Sequence, residues 1–258
     1  MQPDYLTLMK VWPVLKNPPV VVALIQLKFN PSDVKLRDFL RFDHQIKEIL
    51  PGRQENIQVG LDFNGSKIPL GVSNISGTSD ARVESYVYFS ADTRVRLEIL
   101  EGQITYIDER PYLGWNFFID SALSCMMVFS ELLNSIAIIR TSIRFVNRLL
   151  FSEFSHPQEY FNTLISGTDD SPLPYPLRQY GFRLLMDIPQ TEIYSIVNQQ
   201  IETLNAESYL YIFDIDVLDR QHYSFSKEEL EKISGNLRNI KNEIFFKNIT
   251  TKTQMLCN

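Results

Sequence analysis

Val20-Val21-Val22-Ala23-Leu24-Ile25-Gln26-Leu27-Lys28-Phe29 is the stretch whose reading decides the fold class. β-branched residues crowd its start and apolar/polar alternation follows, the pattern of a strand buried on both faces at one end and on one face at the other. Pro18-Pro19 cannot join a central ladder and marks its beginning. After the Asn30-Pro31-Ser32 turn, Val34, Phe39, Phe42, Ile46 and Ile49-Leu50 repeat at helical spacing until Pro51-Gly52 ends the run.

Working outward, residues 56–63, 81–89, 94–100 and 103–108 read as an antiparallel meander, with Glu101-Gly102 as a tight hairpin turn. Residues 115–133 carry an apolar stripe, Trp115, Phe118, Ala122, Cys125, Met126 and Phe129 among others, wide enough for a helix buried on most sides. The pattern then begins again. Residues 136–151 read as a long strand, 157–165 as a helix, and 181–188, 192–199 and 209–217 as strands. Ser226-Lys227-Glu228-Glu229 is a capping box opening a last helix, whose Leu230, Ile233, Leu237, Ile240 and Ile244 form a narrow apolar seam. The expected architecture is α+β: pseudo-duplicated strand-helix-antiparallel meander-helix units, with mainly antiparallel sheets covered by long helices. No Gly-, Ser- or Pro-rich linker separates the units, so residues 1–258 form a single domain with halves 14–134 and 135–258.

With 44% hydrophobic and 22% charged residues, the chain is excluded from the disordered and fibrous classes. A net charge of −6 disfavours bulk binding to nucleic-acid backbones. Cys125 and Cys257 lie far apart and are read as reduced and structural. Met1 to Pro13 lacks the features of a signal peptide, and the apolar run from Phe117 to Phe129 is interrupted by Asp120, far short of the roughly 20 residues a membrane helix needs. These features predict a cytoplasmic protein without a membrane segment.

Catalytic signatures are sparse. The ten glycines form no phosphate cradle, and His44, His156 and His222 stand apart from one another and from either cysteine, so neither a cofactor nor a soft-ligand metal site is expected. Asp214 and Asp216 share one strand face roughly 7 Å apart, a spacing that suits Mg²⁺ but also any solvated strand face. Arg140, Arg144 and Arg148 share one face of the long strand, with Ile143, Phe145, Asn147 and Leu149 on the other. Arginines four apart on a strand sit roughly 13 Å from each other, suited to a partner's carboxylates or an extended backbone. Asn147, an amide on the apolar side, needs partners and is predicted to tie down neighbouring backbone.

Four blocks carry a resemblance: Asn17 to Phe29, Ser142-Ile143-Arg144-Phe145-Val146-Asn147-Arg148, Leu210 to Val217, and Leu237 to Thr250 with its Phe245-Phe246. Together they resemble a sporadically distributed, uncharacterised bacterial protein family of about this length, met beside phage-defence, toxin-antitoxin and mobile-element genes. Such family members usually carry Glu and His where this chain has Val22 and Arg238. The resemblance implies a cytoplasmic accessory protein, one subunit of an antiviral-defence or regulatory complex.

The leading expectation is a non-catalytic protein-interaction module whose partner is another protein encoded by a neighbouring gene. Its contacts are expected at Arg140, Arg144, Asn147 and Arg148, at the loop 167–176 with Tyr175 as anchor, and at Phe245-Phe246. The alternative is a nucleic-acid or nucleotide-binding protein using the arginine strand, extending to a metal-dependent nuclease with Asp214 and Asp216 as ligands. A third reading is a small-molecule sensor with a pocket between sheet and helices, its ligand unknown.

Overall fold

The computed structural model describes residues 11–63, 66–70, 81–151, 159–162, 179–205 and 208–258. The first half contains β1 (Val20–Phe29), a 3-10 turn at Leu36–Phe42, α1 (Asp43–Ile49), β2 (Gly52–Phe63), β3 (Ser66–Leu70), β4 (Ala81–Phe89), β5 (Val95–Leu100), β6 (Gln103–Asp108), α2 (Trp115–Met127) and α3 (Ser130–Leu133). The second contains β7 (Ala137–Phe151), β8 (Gln179–Asp187), β9 (Ile193–Asn205), β10 (Ser208–Asp219), β11 (Tyr223–Ser224), α4 (Lys227–Asn248) and α5 (Thr251–Leu256).

All described strands join one antiparallel sheet in the order β3-β2-β4-β5-β6-β1-β7-β10-β9-β8, with β11 paired to β7 off that path. β1 and β7 run side by side at its centre, Leu24 opposite Arg144 and Ile25 opposite Ile143. Each of these two strands pairs on its outer side with the last long strand of its own meander, β6 for β1 and β10 for β7. The α+β class holds, but the expectation of separate sheets covered by helices is corrected. Pairing β1 with β7 satisfies the backbone groups that two separate sheets would each leave open at an edge, so the halves fuse.

The helices cover one face. Ala23, Ile25, Leu27 and Phe29 of β1 are buried, as are Ile143 and Phe145 of β7 and Phe213, Ile215 and Val217 of β10. Leu24, Gln26 and Lys28, pointing the other way, are half-buried. α4 packs on β7 and β10, and α2 on β6. Among the described residues no helix is long and apolar enough to cross a membrane.

Local deviations have local causes. The helix expected over 115–133 is broken into α2 and α3 at Phe129, whose fully buried ring meets Phe39 and Phe42 at 5.4 and 5.6 Å. The helical run before Pro51 begins as the 3-10 turn, and only α1 is α-helical. β2 starts at Gly52, where a Cβ would lie 2.1 Å from the Phe89 ring, so any larger residue there would have to displace that ring. Gly102 adopts φ +77 in the β5–β6 hairpin, the left-handed turn conformation glycine favours. Of the helix expected at 157–165 only 159–162 is described, and there Phe161 bridges to Ile249 in strand fashion. The loop 167–176, including Tyr175, lies outside the described residues.

Ser226 caps α4, its hydroxyl accepting from the Glu229 N–H at 3.1 Å. The seam beyond it departs from expectation. Leu230 and Leu237 are buried, yet the line continues through Lys241, Phe245 and Asn248, while Ile240 and Ile244 are only half-buried. Buried positions 230, 234, 237, 241, 245 and 248 advance 18 residues in five steps, or 3.6 per step. A 3.5-residue pattern drifts off that line along a straight helix.

Candidate functional site

The face of the sheet that no described helix covers collects the polar residues that the sequence singles out. Arg144 reaches diagonally to Asp214, Nε to Oδ1 at 2.8 Å and Nη2 to Oδ2 at 2.7 Å, a two-pronged charge-assisted pair. Asn198 of β9 donates to the same Oδ2 at 3.0 Å. Asp214 is only 5% exposed, so its expected place on a solvated strand face is corrected. Both of its oxygens already accept hydrogen bonds, which leaves it poorly disposed to ligate a metal ion. Among the described residues no group of three His, Cys, Asp or Glu is placed to hold one.

Asp216 lies directly opposite Arg144 in the ladder, yet the guanidinium has turned to Asp214. Its Oδ1 is buried without a hydrogen-bond partner. Burial pushes the carboxyl up to about 6; Arg144 opposes the shift and the Asp214 charge adds to it. Arg140 donates to Gln26 Oε1 on β1, and Arg148 is exposed. The three arginines therefore do not act as a row: one is bonded to an amide, one is paired with a carboxylate, and one faces solvent. Apolar side chains share the face with them, Leu150 being 64% and Leu185 67% exposed.

On the covered face, Asn147 is buried and its amide donates to the Phe213 carbonyl at 2.9 Å and the Phe145 carbonyl at 3.4 Å. It ties β7 to β10, as its position on an apolar face predicts, and is not a surface contact. Phe245 and Phe246 are not free anchors either. Phe245 is buried against Phe213, with ring centroids 6.0 Å apart, and Phe246 stacks on Trp12 at 5.6 Å and 8°. The C-terminal helix closes over the sheet, with Phe245 buried beneath it and Phe246 half-buried against Trp12.

Lys241 is the residue that sequence reasoning missed, and Arg238, on the same helix, enters it only as a departure from the resembling family's pattern. Lys241 is 8% exposed beside the Phe145 ring, and its place on the 3.6-residue line from Leu230 to Asn248 is the signal for its burial. No family model matches this chain, and no curated protein or solved structure is significantly similar to it.

Proposed function

We propose that the protein is a non-catalytic accessory subunit that binds another protein across the sheet face that no described helix covers. The observation that carries this reading is the composition of that face: exposed Leu150 and Leu185 share it with the Arg144–Asp214 pair, as do the exposed Arg148 and Arg183. Apolar positions interleaved with charges form the kind of mixed surface that protein partners bury. An arginine already neutralised by a carboxylate offers little to a phosphate backbone, which favours a protein over a nucleic acid as the occupant. Placement in an antiviral-defence or regulatory complex rests on the family resemblance.

The test is co-expression with the products of neighbouring genes, followed by purification of the complex. A stoichiometric complex that is lost in Leu185→Glu and in Leu150→Glu, with both variants still folded by circular dichroism, supports the reading. A lone monomer from every pairing counts against it. Steeply salt-dependent capture of DNA or RNA in a filter assay would replace it with the nucleic-acid alternative.

A further inference from the structure

Between β7, the start of α2, α4 and the strap of residues 12–19 lies a cavity of about 540 Å³, on the helix-covered side of the sheet. The strap is tied down by the Asn17 N–H, which donates to the Cys257 carbonyl at 2.8 Å, and by the Trp12 ring stacked on Phe246. Among the described residues no acidic side chain lines the cavity; its charged groups are Lys16, Arg238 and Lys241. In a chain of net charge −6 this is a local positive well.

Lys241 is the deepest of these cations. It is 8% exposed, its ammonium lies 4.3 Å from the Phe145 ring centroid, and among the described residues it makes no hydrogen bond or ion pair. A buried ammonium without a counterion is unfavourable, and at a cavity wall it marks a place where an anion would be stabilised.

A second, independent feature points at the same space. Gly114 precedes α2 with φ +105 and provides no side-chain cap, and the first turn has no acidic residue. Trp115, Asn116 and Phe117, whose peptide N–H groups are the orphan donors of that first turn, line the cavity. The positive end of a 13-residue helix thus borders the space that Lys241 lines.

The remaining wall carries aromatic rings together with the amides of Asn147 and Asn242. The chain has two tryptophans, and both are here: Trp12, parallel to Phe246, and Trp115, with the Arg238 guanidinium 5.3 Å from its ring. Such a wall suits a ring, just as the cationic end suits a negative head.

We propose that this cavity binds a small planar organic anion, a carboxylate or phosphate borne on an aromatic ring, with its head at Lys241 and the α2 N-terminus and its ring against the tryptophan-lined wall. The site is independent of the sheet-face reading, because it lies on the opposite side of the sheet and uses none of the same residues. Binding involves no covalent step.

Because both tryptophans line the cavity, intrinsic fluorescence of the full chain reports occupancy. The probes are benzoate and phenyl phosphate, with benzamide as the neutral isostere and inorganic phosphate as the ring-free control. We expect a saturable fluorescence change with one or both aromatic anions, at least about tenfold weaker binding of benzamide and of inorganic phosphate, and an affinity loss of at least about tenfold in Lys241→Met. Lys241→Met keeps the length of the side chain, and circular dichroism with a melting curve confirms that it folds; Arg238→Gln is the second variant, with a smaller loss. Preference for phenyl phosphate over benzoate assigns a phosphate head, and the reverse a carboxylate. Equal affinity for benzoate and benzamide, unchanged affinity in Lys241→Met, or no saturable change with either anion up to about 10 mM would overturn the proposal.

Discussion

Arg144 and Asp214 are joined by two parallel hydrogen bonds, although the residue directly across the ladder from Arg144 is Asp216. One guanidinium serves one of two neighbouring carboxylates, and the consequences differ for each acid. Asp214 is buried and fully bonded, whereas Asp216 keeps a buried oxygen with no partner.

Removing the arginine should therefore cost more than a surface ion pair would. Arg144→Ala leaves Asp214, whose side chain is 8% exposed, without its counter-charge. Because the Arg144 side chain is itself 43% exposed, the loss is expected below the 3–5 kcal/mol of a wholly buried pair, at about 2 kcal/mol. Urea denaturation measures it. A loss under about 0.5 kcal/mol would place the pair with ordinary surface ion pairs, and the Arg144→Met/Asp214→Leu double variant should recover most of the stability.

Asp216 makes stability fall with pH. Its folded-state value, about 6, lies above the ordinary 3.8, so between those values the folded chain holds a proton that the unfolded chain has released. Stability then decreases as pH rises from about 4 to about 6, by at most about 3 kcal/mol, and the penalty persists above that window. Asp216→Asn should flatten this part of the pH–stability curve and be the more stable protein at pH 7. Urea midpoints of both proteins from pH 4 to 7 check the sign; parallel curves would refute it.

Lys241 acts in the alkaline range with the opposite slope. Burial, with a smaller contribution from Arg238, lowers its ammonium from 10.5 to about 7. Between about pH 7 and 10.5 the unfolded chain binds a proton that the folded chain does not, so this group's contribution to stability rises with pH, by at most about 5 kcal/mol. Lys241→Met should melt higher than the parent near pH 7 and lose the difference toward pH 10. For the same reason, benzoate affinity of the parent should weaken as pH rises from 6 to 9, because the neutral amine offers no charge to the head group. Lys16 and Arg238 are the other charged groups lining the cavity, and the Tyr112 phenol, pushed up to about 12 by burial, stays neutral over that range.

Both thiols should be silent in the native state. Cys125 is 1% and Cys257 3% exposed, and burial pushes the Cys125 thiol up to about 12, so little thiolate exists to react. Aromatic disulfide reagents should label neither at neutral pH until denaturant is added, and the labelling rate in native buffer should follow unfolding. Fast labelling of Cys125 would contradict the packing of α2.

Features governed by neighbours in the chain are legible in the amino-acid sequence alone. Alternation places β1, β4 and β6 at their observed ends, Gly102 marks its hairpin, Ser226 marks the start of α4, and the amide of Asn147 announces a backbone tie. Each follows from a period of two, a turn conformation or a capping hydrogen bond, all of which are set within a few residues.

What requires the tertiary structure is register between distant segments. Alternation says that Arg144 and Asp214 each point to one side of a strand, but not that strands 70 residues apart in the chain would align so that the arginine meets Asp214 and bypasses Asp216. Nor does it say that β1 and β7 would close two half-sheets into one, which decides which faces the helices cover and which stays open. Lys241 shows the same limit. Its charge argues for solvent, and only the packing of α4 across β7 and β10, together with the strap and the start of α2, turns it into a wall of the cavity. Local patterns report what a residue prefers; burial and pairing are decided by which surfaces meet, because those energies arise between segments and not within them.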